Sequence, residues 1–147
     1  MYPYLLLIHI LAATVWTGGH LVLALGLLPG ILRRRAVGEL TAFEAAYEKW
    51  GMSALIIQVI TGLWLARIRQ PDIASWFTAE HFPSRLIQLK LALLAMTLLV
   101  AIDARLRVIP HLSEQTLPAM ALRIRLVTLL GVAFVVVGTS FRTGPWW

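Results

Sequence analysis

Four long apolar runs dominate the chain, at about residues 5–28, 47–66, 84–108 and 121–141. Each is close to the roughly 20 residues that a helix needs to cross the hydrocarbon of a bilayer. Hydrocarbon offers no hydrogen bonds, so a spanning segment must pair its backbone groups internally, which a helix does. Only 14% of the 147 residues are charged, against about 25% in a soluble domain. The expected fold class is an all-α integral membrane protein, a four-transmembrane-helix up-down-up-down bundle. One membrane domain over 1–147 uses the whole chain. The first run does not read as a signal peptide, because it lacks a basic leading region and is too long.

Punctuation between the runs sets the expected connections. Pro29-Gly30 is expected to stop the first helix, and Arg33, Arg34 and Arg35 follow at once. Residues 36–48 mix Glu39, Glu44 and Glu48 with apolar side chains, as the solvated start of a helix would. After Gln70-Pro71-Asp72, a connection to about Pro83 carries Trp76, Phe77, Glu80, His81 and Phe82. Its aromatics suit a segment on the membrane surface or over the mouth of a pocket. Trp146-Trp147 ends the chain as a second interfacial pair.

Basic residues divide unevenly. Arg33, Arg34, Arg35, Lys49, Arg105, Arg107, Arg123 and Arg125 fall on one side of the expected bundle, and Arg67, Arg69, Arg85 and Arg142 on the other. The positive-inside rule then places both termini outside the cytoplasm of a bacterial-type inner membrane. The net charge of +6 reads as topology and contact with the lipid bilayer, not as nucleic-acid binding. The chain has no cysteine, which excludes disulfides, thiolate metal sites and iron–sulfur clusters.

Polar residues inside the spans carry the functional signal, because such groups normally face a bundle interior. His9, Ala13, Trp16 and His20 fall within roughly 60° of one another on the first helix. The topology brings His9 and Lys90 to similar depth, and Arg142 arrives at the same level. The connection with His81 and Arg85 closes that end. His20 lies about 16 Å further along the axis, so one metal ion cannot touch both histidines. It marks either a second site or a buried hydrogen bond. Asp103 and Arg107 stand at i,i+4 spacing, the arrangement of a helix-end ion pair. Gln58 shares a face with Gly51, Ala54, Gly62 and Leu65, expected to pack against neighbours. An imidazole among cations suits a porphyrin, whose iron takes imidazole and whose propionates take cations.

The first helix reads Ile8-His9-Ile10-Leu11-Ala12-Ala13-Thr14-Val15-Trp16-Thr17-Gly18-Gly19. It resembles the opening of the copper-resistance protein D (CopD) superfamily. Thr61-Gly62-Leu63, Leu89-Lys90-Leu91-Ala92-Leu93 and Arg105-Leu106-Arg107-Val108-Ile109-Pro110 resemble its later motifs in order. The superfamily includes the HemJ-type protoporphyrinogen oxidases, linked to bound haem b, and His9 and Lys90 fall on their functional His and Lys positions. Where those proteins carry a Tyr-His pair, this chain reads Ile102-Asp103-Ala104-Arg105, which speaks against that oxidase reaction here.

Three functions follow as expectations. The first is a haem b-binding membrane redox or electron-transfer protein. In it His9 is the axial ligand, Trp16 lines the pocket, and Lys90, Arg142 and Arg85 neutralise propionates. A partner ligand would come from His81 or from a second subunit of a homodimer, and His20 would allow a second haem. The second is copper transport or tolerance, with His9, His20 and His81 as metal ligands. Copper(I) favours soft ligands, and the four methionines, Met1, Met52, Met96 and Met120, form no ladder with the histidines. The third is a cofactor-free accessory membrane subunit.

Overall fold

The computed structural model describes residues 1–78 and 81–144. Glu80 and the Trp146-Trp147 pair lie outside them. The described residues form four helices long and apolar enough to cross a membrane: α1 Tyr2–Arg34, α2 Val37–Arg69, α3 Phe82–His111 and α4 Leu117–Thr143. The chain is thus an all-α, four-helix membrane bundle.

All four helices outrun their apolar stretches. The departure that overturns an expected helix end is at Pro29. The helix does not stop there but runs on to Arg34, through a π-helical segment at Val22–Leu27. A proline ring clashes with the carbonyl four residues back, here that of Leu25, and the wider π turn holds that carbonyl. The same device recurs at Pro110: its clashing carbonyl is that of Leu106, inside a second π segment at Ala104–Val108. Arg35, in the left-handed region at φ 51°, ends α1. The link to α2 is therefore two residues long, and the stretch from residue 37 is helix, the solvated start of α2 that was expected.

Packing runs in the order α2, α1, α4, α3. The consecutive helices α2 and α3 form no packed pair along their length. They meet through the Arg105–Glu48 ion pair. The largest apolar cluster sits at that end and includes Leu28, Ile31, Leu40, Val108, Leu117 and Ile124. Two smaller clusters, around Trp16 and around Leu86, leave the other end less filled.

Asp103 ties α3 to α4. Arg123 donates from Nε to its Oδ2 at 2.8 Å and approaches with a second nitrogen at 2.6 Å. Arg107, the partner expected from spacing, stands 3.5 Å away and largely exposed. Its side chain is in water, whereas Arg123 is held between the helices. Asp103→Asn is expected to destabilise the bundle by about 1.5–3 kcal/mol, the range for hydrogen bonds to charged groups. Thermal unfolding in detergent checks this. A double-mutant cycle with Arg123 should show coupling, and one with Arg107 almost none.

Candidate functional site

Glycines build the polar sites of this bundle. A Cβ added at Gly62 of α2 would lie 3.1 Å from Cε1 of His9, and one at Gly138 of α4 would lie 3.4 Å from Nζ of Lys90. Gly131 seats Thr17, and Gly19 with Gly51 seat the ring of Tyr47. Each missing side chain lets a polar group of a neighbouring turn or helix come against the backbone. That explains why the Gln58 face of α2, with its small residues, packs on α1.

His9 has a defined second partner. Its Nδ1 is 2.8 Å from Oγ1 of Thr61. The one proton of the Thr61 hydroxyl goes to the Ile57 carbonyl at 2.6 Å. The threonine oxygen is therefore the acceptor, and His9 Nδ1–H donates to it. A neutral imidazole protonated on Nδ1 carries its lone pair on Nε2. A fixed ring with a free Nε2 is the arrangement of a metal-ligating histidine.

His9 lines a cavity of about 750 Å³ in the less filled end of the bundle, within the roughly 300–1,000 Å³ typical of ligand sites. Trp16, Thr17, Leu55 and Phe134 form apolar and hydroxyl walls. Lys90, Arg69 and Arg142 supply positive charge, and no Asp, Glu or Met is among the described lining residues. Lys90 Nζ stands 5.6 Å from the Phe141 ring centroid, a cation–π contact. Among the described residues no carboxylate pairs with it. Arg69 donates to the Phe141 carbonyl at 2.9 Å. Two buried polar atoms of the wall, Gln58 Oε1 and Thr17 Oγ1, have no hydrogen-bond partner.

The 70–78 connection covers the end of the cavity. A 3-10 turn at Ala74–Phe77 buries Trp76 against the lining. The indole Nε1–H donates to the Gln70 carbonyl at 2.8 Å, and Gln88 of α3 donates to the Trp76 carbonyl at 2.9 Å. Of the two placements its aromatics suggested, membrane surface or pocket mouth, Trp76 takes the second, while Phe77 and Phe82 are exposed.

The structure brings together four of the residues singled out from sequence: His9, Trp16, Lys90 and Arg142. It does not bring His20, His81 or Arg85 to the cavity. His20 Nδ1–H donates back to the Trp16 carbonyl at 2.9 Å, and its ring lies 4.4 Å from that of Trp16. His20 thus makes a part-buried hydrogen bond within its own helix, outside the cavity lining. His81 is exposed at the residue before α3. Arg85 is exposed in the first turn of α3. No three His, Cys, Asp or Glu side chains among the described residues converge on a metal position. Sequence reasoning missed Thr61 as the partner of His9, Arg69 as a cavity cation, and Trp76 as a wall. Thr61 had a signal in the Thr-Gly-Leu motif and in its depth, level with His9, and Trp76 had one in the aromatic content of its connection; Arg69 had none.

Thr61→Val keeps the shape but removes the acceptor for His9. It is expected to weaken metal or haem binding at His9 by about 10–100-fold, the usual effect of losing such a partner. A binding titration followed by absorbance checks this, and restoring the hydroxyl with Thr61→Ser should recover most of the loss.

Fold and cavity define the class, a multi-pass helical membrane protein with a polar site inside its bundle. The chain belongs to the copper resistance protein D (CopD) family, whose family model matches residues 41–141. That match covers most of α2, all of α3 and most of α4, and leaves out α1 with His9. No curated protein and no solved structure matches the chain.

Proposed function

We propose that this protein binds haem b in the His9 cavity and serves as a membrane redox protein. The observation that carries the reading is the composition of the wall: one imidazole, three cations, and no carboxylate or thioether among the described residues. A bare copper ion brings positive charge into a site that already holds Lys90, Arg69 and Arg142. It would also lack the soft ligands that copper(I) prefers. A flat apolar group with two carboxylates has the opposite character. His9 Nε2 would hold the iron, the three cations would neutralise the propionates, and Trp16 and Phe134 would flank the ring. The HemJ-type positions of His9 and Lys90 point the same way.

Bound haem would supply one-electron chemistry. The chain's own part is to orient the His9 ring through Thr61, balance charge at the mouth and keep water off the apolar wall. The excess of basic residues at the opposite end supports a position outside the cytoplasm for this end of the bundle. The family name favours a second reading, copper handling, in which His9 supplies one nitrogen ligand.

The test is competitive loading of the purified protein in detergent with haemin and, separately, with copper(I) and copper(II). Haemin binding weakened about 10–150-fold by Lys90→Gln, the loss of about 1.5–3 kcal/mol from one charge-assisted bond, supports the haem reading. Copper binding that strengthens in Lys90→Gln, without saturable haemin binding, contradicts it and supports the copper reading.

A further inference from the structure

The cavity is covered in part at its aqueous end, where Arg69 and Arg142 are exposed at the mouth, and incomplete on its flanks. Trp76 is buried over its end, held by hydrogen bonds from both sides. Yet several lining residues within the spans are exposed: Ile10 and Thr14 of α1, Leu63 of α2 and Val135 of α4, with Thr139 one turn from the end of α4. A residue that both lines a cavity and faces outward marks an opening. At these positions the outside is hydrocarbon. The flank between α2 and α3 is not closed by helix packing either.

We infer that the cavity takes an anionic amphiphile sideways out of the bilayer, with its acidic head at Lys90, Arg69 and Arg142 and its apolar body reaching down to Trp16. Charge complementarity identifies the occupant, since the described lining has three cations and no acid. Depth identifies the source. The openings lie at membrane level, and the route to water passes Trp76. Glycine at 138 leaves room for Lys90 within the bundle, where an unpaired ammonium is costly unless it meets an anion. The inference rests on the reading that this cavity is the ligand site, and it holds for amphiphiles other than haem.

The experiment uses haem-free full-length protein that keeps Trp16 and the wall residue Trp76, the other four tryptophans being phenylalanine, and the quenching of a Trp76-only protein is subtracted to give that of Trp16. A second protein keeps only Trp64, which faces lipid on α2 at 47% exposure, against 8% for Trp16. Both are placed in vesicles of phosphatidylglycerol or phosphatidylcholine with brominated acyl chains, which quench indole on contact. Trp16 is expected to be quenched at least half as strongly as Trp64 in phosphatidylglycerol, and several-fold less in phosphatidylcholine. Lys90→Gln with Arg142→Gln should erase that difference; Arg142→Gln alone, at the exposed mouth, should reduce it. A Trp16 shielded from both lipids overturns the sideways opening, whether protein or a second copy covers it. Quenching by aqueous iodide instead overturns the bilayer route. Equal quenching in both lipids overturns the anionic head. Because no haem is present, a failure here is distinct from a failure of haemin to bind.

Discussion

His9→Ala is expected to abolish haem binding while leaving the four-helix bundle folded. The ring sits at the edge of the cavity, against Gly62 and Thr61, and no core cluster depends on it. Its removal deletes the one imidazole among the described lining residues. The expected loss exceeds 100-fold in haemin affinity, more than the 10–100-fold for the Thr61 partner, because the iron ligand itself is gone. Absorbance titration gives the affinity, and circular dichroism with size-exclusion chromatography checks the fold. The control is His20→Ala. His20 bonds back to its own helix and is not among the described lining residues, though it packs on Trp16, so this variant should weaken haemin binding far less than His9→Ala.

The second large effect is on stability. Gly19→Ala would place a Cβ 2.3 Å from the ring of Tyr47, closer than any real contact. The ring lies between two glycines, since a Cβ added at Gly51 would also fall 2.7 Å from it, so the notch exists only while both positions lack a side chain. Tyr47 must leave the notch and give up its hydrogen bonds to the Val15 and Trp16 carbonyls, at 2.9 and 3.0 Å. Overpacking of this kind costs about 1–3 kcal/mol, and a lost hydrogen bond adds about 1 kcal/mol. The α1–α2 pair should loosen, with a lower unfolding temperature in detergent. Tyr47→Ala in the Gly19→Ala background should recover part of the loss, because the clash goes with the ring. A Gly19→Ala protein as stable as the parent would show that α1 and α2 do not meet through this notch.

The gathering of His9, Lys90 and Arg142 was legible in the sequence because depth in a membrane helix follows from residue count. Four apolar runs and a fixed rise per residue place side chains along the membrane normal before any packing is known. Rotation and lateral order do not follow in this way. Nothing local says that α2 packs on α1 while leaving α3 apart, so the cation Arg69 read only as a helix end. Trp76 enters the cavity wall through hydrogen bonds to Gln70 and Gln88, a loop geometry that composition cannot specify. Pro29 misled for a different reason. Its rule is about backbone sterics, and a π turn relieves the clash without ending the helix. His20 shared a stripe with His9, but its place further down α1 keeps it out of the cavity lining. Glycine was the underused signal: positions 19, 51, 62, 131 and 138 each mark where a polar side chain sits.

The most direct measurement is the absorption spectrum of the intact protein, purified in mild detergent from cells supplied with haem precursor, oxidised and then reduced, with metal analysis of the same sample. The account predicts a Soret band that shifts on reduction, iron in stoichiometric amount, and loss of both in His9→Ala. Stoichiometric copper with no Soret band in the parent protein would contradict it.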